Sequence, residues 1–468
     1  MSSTSRIART PNRLRRLAVL ASAACAAASP AAAFADFGPA AAPSGPDRTA
    51  GPVDLAAPGT AGEILFTTTS NTDGDSANEQ EMTSFLPATG WAQPQFAFTP
   101  LGTSVNSWAV DGGTSGTAVS IARPRVGGVF EAQARVRPAG LGWGQSTRLS
   151  PDGTSAYSVT ADMSDSGEHA VAAWVQYDAA STTYRAYASR WNAASGWSAG
   201  APVTPVGISC IDATAVIDNA GIATIAASCD RTPADGADLR DLMAVRGVPG
   251  AWSAPEQLTQ AGDDVTTAFL AAAPDGAVAV AWNAQSNPIR MVEARSLPAG
   301  GAGWTPVRSV SDGSLQADDP SIEAVGPGAF AVAWMQDEVS ARSVWVGDLV
   351  DGQVTRRVRV SDPADGQLPP LSRSTPAVAA RTVDGVPTVA VAWAQDDRAN
   401  VAVRRGTQWG DRAAFLANGV GPERTKGPAT AVGGDGLVTV AWQERIDGTS
   451  QWSARIAREA PAPVPEAP

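Results

Sequence analysis

Residues 387–397 read PTVAVAWAQDD, and four near-copies occur elsewhere: AVAAWVQYD (170–178), AVAVAWNAQ (277–285), AFAVAWMQDE (329–338) and LVTVAWQERIDG (437–448). In VAVAW, Val389, Val391 and Trp393 alternate with Ala390, Ala392 and Ala394. A period of two predicts a strand. One side carries large residues and the other small ones, and both are apolar, so neither side faces water. Such a sheet must lie between two others, and large-against-small faces let successive sheets interlock. The recurrent Trp therefore reads first as packing between sheets rather than as a ligand-stacking residue.

The repetition extends beyond this phrase. A second tryptophan series, often after Gly, stands at Trp91, Trp143, Trp197, Trp252, Trp304 and Trp409, with gaps of 52, 54, 55, 52 and 105. The last gap spans two repeats, and the missing copy falls near Val354. The best-formed copy holds four strand-like runs: PAVAA (376–380), TVAVAW (388–393), ANVAVRRG (399–406) and a Trp-led strand (409–416). Asp275-Gly276, Asp384-Gly385 and Asp435-Gly436 are hairpin turns between the first two runs. Two copies, GTAVSIA (116–122) and GIATIAASC (221–229), lack the core Trp. No run keeps a helical period, so the chain is all-β. Four antiparallel strands repeated at about 53 residues predict a single β-propeller of four-stranded blades. Residues 51–458 divide into eight blades, with seven as the alternative. The last blade lacks its outer strand, so residues 36–50 are either a Pro/Ala-rich linker or the strand that closes the ring. Residues 459–468 form a Pro-rich tail.

Residues 1–35 read as a signal peptide. Five arginines precede the apolar LAVLASAACAAA, and Ala33-Phe34-Ala35 fits a cleavage site. The expected location is secreted or cell-envelope, without a transmembrane segment; lipid anchoring at Cys25 is the lesser expectation, because Ser22 replaces the usual branched residue. Loss of the five leader arginines takes the formal net charge from −12 to −17. That charge opposes nucleic acid as a partner. Cys210 and Cys229 then remain, at the two ends of CIDATAVIDNAGIATIAASC. Folding this segment at Asn219-Ala220 sets them opposite each other, and an oxidising compartment predicts a disulfide.

In a propeller the loops joining strands two and three gather on one face. Here they are acidic, which makes Asp178, Asp337, Asp396, Asp397 and Asp447 candidate binding residues. Gln176, Gln336 and Gln395 recur two residues after their Trp and read as loop-bracing hydrogen-bonders. Asn71, Asp73 and Asp75 have the alternate spacing of a calcium loop, but Ser76 replaces the turn Gly and Met82 stands at the bidentate position. No other cofactor is expected. The single histidine, His169, cannot build a histidine-rich metal centre. No G-x-S-x-G elbow exists, and no carboxylate pair stands out for glycoside hydrolysis.

The turns NAASGW (192–197) and PAGGAGW (298–304) resemble the Asp-box position of sialidase-like propellers, keeping Gly and Trp but not Ser and Asp. The chain is also similar to secreted actinobacterial propeller proteins. Sialidase activity would imply six blades, an arginine triad and a Tyr–Glu pair. The four tyrosines here, Tyr157, Tyr177, Tyr184 and Tyr187, all fall within two adjacent repeats, which argues against it. The expected function is a monomeric, non-catalytic propeller binding a protein or carbohydrate partner through its acidic loop face. The alternatives are a glycoside hydrolase using rim carboxylates and a structural envelope protein.

Overall fold

A computed structural model describes residue 37 and residues 49–461, apart from 72–78, 93–94, 97–103, 152, 231–238, 261–262, 287–288, 339–341, 362–374, 396–397, 411, 417–424 and 446–451. The described chain is all-β, with eight antiparallel sheets following one another in sequence order. Blades 1 to 8 begin with the inner strands Thr49–Ala56, Val105–Gly112, Ala156–Met163, Cys210–Ile217, Ala268–Ala272, Ala317–Gly326, Ala377–Val383 and Thr425–Val432. All eight line one axial cavity, so the blades form a closed ring. Asp384 and Gly385 both take positive φ, 50° and 76°, between paired Val383 and Val386. This is the mirror-image turn that matches strand twist.

The outer edges are less regular than the repeat suggests. In blade 7 the Trp-led strand is two pieces, Gln408–Trp409 and Ala413–Leu416. Blade 6, where the Trp is missing near Val354, has an unbroken outer strand, Gln353–Arg359. Blade 8 has three strands, and Phe37 makes a single antiparallel bridge to Glu459, just after the third. The Phe37 ring meets Phe415 edge-on at 5.4 Å.

The core lies between blades. Trp174, Trp282, Trp334, Trp393 and Trp442 are among the largest fully buried side chains. Four of the five pack against the small-residue face of the preceding blade, and Trp174 instead meets Val119, Ile121, Ala132 and Ala134 of blade 2. Trp442 lies with Ala390, Ala392 and Ala399 of blade 7, and Trp393 with Ala331 and Ala333 of blade 6. The same arrangement sets Trp282 against Ala226 and Ala244. Clearance is small. A Cβ added to Gly200 would meet the Trp174 ring at 2.6 Å.

Burying an indole strands its N–H unless an acceptor follows it inside. In blades 3, 6 and 7 the Gln two residues on supplies it. Trp174, Trp334 and Trp393 donate Nε1–H to Gln176, Gln336 and Gln395 Oε1 at 3.0, 3.1 and 3.0 Å. Blade 4 has neither residue. By register, Cys229 takes the Gln position and Cys210 faces it, as Ala156 faces Gln176 in blade 3. The two cysteines are disulfide-bonded with Cα atoms 3.8 Å apart. The position that Gln176 holds in blade 3 thus carries one half of a cross-strand disulfide in blade 4.

Two stability outcomes follow. Trp393→Ala removes an indole from a packed interface, and urea unfolding should show a loss of about 3–5 kcal/mol. A loss under ~1 kcal/mol would place the ring's cohesion elsewhere. The paired change Cys210→Ser with Cys229→Ser opens a loop of sequence separation 19. It should cost about 3 kcal/mol in the same measurement, and no change would mean the hairpin needs no tether.

Candidate functional site

The axial cavity has a volume of about 520 Å³ and is lined towards the ends of the inner strands, where they enter their first hairpin turns. Its acidic groups come from positions the strand pattern does not single out. Asp54 Oδ2 accepts the Val110 N–H at 3.0 Å, Asp111 Oδ2 the Met163 N–H at 2.7 Å, and Asp162 Oδ2 the Ile217 N–H at 2.7 Å. Three successive blades therefore each hand a carboxyl oxygen to the next blade's inner strand. Ser321 Oγ does the same for Val378 N–H between blades 6 and 7, at 3.1 Å. Glu323 adds a fourth carboxyl group, and Arg381 donates to the Ala57 carbonyl at 2.8 Å.

These carboxyl groups line the cavity yet are ringed by protein, so ionisation is disfavoured. Burial pushes Asp54 up to about 7, against the opposing pull of the Val110 and Leu55 amides. Burial, with help from Asp111, pushes Glu323 up to about 8. Asp111 and Asp162 are both raised, chiefly by burial; they also share a hydrogen bond, so their protons belong to the pair. Among the described residues no cluster of three or more His, Cys, Asp or Glu is arranged to hold a metal ion.

The opposite end of the ring carries the loops between second and third strands. Asp178 lies here, with Oδ2 bound to Arg185 Nη1 at 2.8 Å and Oδ1 to the Ala180 N–H at 3.0 Å. The Arg185 hydrogen bond holds its carboxyl below the usual range. Asp337 is gripped by Arg342 Nε at 2.6 Å, and the same guanidinium reaches Asp318 at 2.6 Å. With Gln176, Gln336 and Gln395 committed to their indoles, these rim groups are engaged within their own blades. Gln336 also borders a 560 Å³ cavity with Met291, Glu338 and Trp345. Asp396, Asp397, Asp447, Asp73 and Asp75 lie outside the described residues, as do the leader with Cys25 and residues 462–468 of the tail; Asn71 pairs with Thr49 in blade 1, its side chain undescribed. His169 Nδ1 lies 3.0 Å from both Arg190 Nη2 and Asn192 Nδ2, and burial with the Arg190 charge lowers its pKa.

The same loop end presents an aromatic surface. Tyr157, Tyr177 and Tyr184 are 41, 40 and 39% exposed. Tyr184 meets both other rings edge to face, each at 5.5 Å. Tyr157 is pushed out at a bulge. Pairing shifts register between Tyr157 and Val159, and the intervening Ser158 has φ 44°, in the left-handed region. Ser158 Oγ donates to Asp212 of blade 4, which holds the strained residue. Val126, Val206 and Ile211, also exposed, belong to the same end of blades 2 to 4. The fourth tyrosine, Tyr187, is buried and stacks on Trp174 at 5.9 Å. Crowding of all four tyrosines into residues 157–187 is the sequence signal for this surface.

No family model matches the chain, and no curated protein does. Solved structures do. A protein of unknown function from Dyadobacter fermentans shares 10% identity, covering 92% of this chain and 100% of its own, with TM-score 0.45. The Dos1 propeller shares 8%, covering 91% and 95%, with TM-score 0.48. A sialidase from Streptococcus pneumoniae shares 9%, covering 91% and 70%, with TM-score 0.38. At such identities and scores these likenesses assign no activity to this chain.

The raised carboxyl groups fix a pH dependence. The folded protein keeps protons that the unfolded chain releases near its ordinary carboxyl pKa. Their stabilising contribution is complete below that value and lost as pH rises through about 7 for Asp54 and about 8 for Glu323. Melting temperature should therefore fall from about pH 5 to about pH 8, with a shallower slope in Glu323→Gln. A flat or rising profile would contradict the assignment.

Proposed function

We propose that the protein is an exported, non-catalytic propeller that binds a glycan partner through the loop face of blades 2 to 4. One observation carries this reading: three tyrosine rings stand about two-fifths exposed and meet edge to face on a built, strained bulge. Folded proteins seldom leave grouped aromatic surface to water without use. Tyrosine joins an apolar ring to a polar hydroxyl. Sugars have the same alternation, with C–H faces that stack on rings and hydroxyls that reach phenols and amides. Of the acids expected on the loop face, Asp178 and Asp337 already pair with arginines of their own blades, and Asp396, Asp397 and Asp447 lie outside the described residues. The disulfide supports an oxidising location. No helix among the described residues is long and apolar enough to cross a membrane.

A glycan array with the full chain, repeated with Tyr177→Ala and Tyr184→Ala combined, tests the reading. At about 1–1.5 kcal/mol per ring contact, the double change should weaken binding by about 10-fold or more, with melting unchanged. Unaltered binding by the variant, or an array without hits, would refute it.

A second reading is glycoside cleavage by the channel pair. Asp111 and Asp162 share a hydrogen bond and both have raised pKa, so the pair can hold a proton, although groups in direct contact sit closer than the ~5–9.5 Å that glycoside hydrolysis uses. Against it, each already serves a backbone N–H of the next blade. Turnover of chromogenic glycosides that is lost in Asp111→Asn and Asp162→Asn would favour the enzyme, and its absence the binding protein.

A further inference from the structure

Four described arginines are buried to nine-tenths or more: Arg123, Arg137, Arg185 and Arg404, at 9, 8, 9 and 5% exposure. Burying a guanidinium is costly unless an anion meets it. Three of the four follow that rule. Arg137 pairs with Glu63 at 2.6 Å, Arg185 with Asp178 at 2.8 Å and Arg404 with Asp348 at 2.6 Å. Arg123 does not. Among the described residues no carboxylate pairs with it, and its Nε has no hydrogen-bond partner.

Its position is specific. Cζ of Arg123 sits 5.1 Å from the Phe130 ring centroid and 5.3 Å from that of Tyr157. Two aromatic faces flank the guanidinium, as cation–π contacts do, and only Nε, not the Nη groups, is both fully buried and without a partner. Tyr157 is one of the three exposed rings, so the unpaired guanidinium lies beside the aromatic surface. Burial lowers the Arg123 pKa, as expected for a cation whose counter-ion has not been supplied from within the fold.

We infer that Arg123 is the specificity residue of the tyrosine surface, and that it selects a glycan bearing an oxyanion, such as a uronate carboxylate, whose sugar ring rests on Tyr157 and Tyr184. A guanidinium offers a planar fork of donors that matches a carboxylate or a sulfate ester. The overall negative charge of the chain repels polyanions at long range, so recognition must come from this local contact. The inference rests on the glycan-binding reading above and adds the charge of the ligand.

Calorimetry with the full chain tests it, using a short oligogalacturonate, its neutral methyl ester and a sulfated oligosaccharide of equal length. The acid should bind ~10-fold more tightly than the ester, a gap appropriate to one charge-assisted contact. Arg123→Gln should close that gap to within ~2-fold while leaving ester binding in place, and Arg123→Lys should retain part of it. Preference for the sulfated sugar, lost in Arg123→Gln, would support the same oxyanion contact from a sulfate source. Equal binding of acid and ester by the unmodified protein, or a gap that survives Arg123→Gln, would overturn the inference while sparing the glycan reading. Binding of none of the three would defeat both. Should Arg123→Gln not fold, ionic strength decides: the acid–ester gap must shrink as salt rises, and a constant gap overturns the contact.

Discussion

The ring depends on one contact, an indole from each of five blades seated on the blade before it, in four of the five on an alanine-rich face. This contact requires large and small residues to alternate along a strand that is apolar on both sides. It also requires a solution for the indole N–H, which a dry interface cannot hydrate. Gln two residues on is that solution in three blades. In blade 5, Ala284 holds the Gln position, and Glu293 stands across from Trp282 on the neighbouring strand. The Trp282 N–H approaches Glu293 without reaching full hydrogen-bond geometry, yet lowers its pKa, while burial, the larger effect, pushes it up to about 7. The second half of PTVAVAWAQDD thus begins as part of the packing device rather than as a site.

Packing and function separate along the propeller axis. At the turn end, channel carboxyl groups stitch blade to blade through backbone amides, so their raised pKa values belong to the architecture. At the loop end, the described rim acids Asp178 and Asp337 pair with arginines of their own blades, and Tyr157, Tyr177 and Tyr184 are exposed. A cluster of carboxyl groups in a cavity is the more conspicuous feature, but its hydrogen bonds are already satisfied. At the loop end, Arg123 is the nine-tenths-buried described arginine without a carboxylate, and it lies against one of the exposed tyrosines.

Much of the fold was legible because repetition multiplies a weak signal. One VAVAW could be a buried strand of any sheet, but five in step with a Trp series predict blades, and eight are present. The Cys210–Cys229 pairing was also legible, although the strands pair one residue off the register that a turn at Asn219-Ala220 implies, and a bulge between Cys210 and Asp212 brings the cysteines opposite each other. The site was less so. Asp178 and Asp337 look free in sequence because their partners, Arg185 and Arg342, are ordinary residues of the third strand. Asp54, Asp111, Asp162 and Glu323 are ordinary acids of the first strand until the ring brings eight inner strands together. The isolation of Arg123 is invisible in sequence, since the lack of a paired carboxylate, not residue type or degree of burial, distinguishes it from the other buried arginines.

The central claim is that the loop end of blades 2 to 4, not the channel, meets the ligand. Amide hydrogen–deuterium exchange of the full chain, with and without a saturating acidic oligosaccharide, locates the contact directly. Protection concentrated in the segments around Arg123–Phe130, Tyr157 and Tyr177–Tyr184 is the expected result. Protection confined to the channel segments around Asp54, Asp111, Asp162 and Glu323 would contradict it and move the site to the opposite end of the ring.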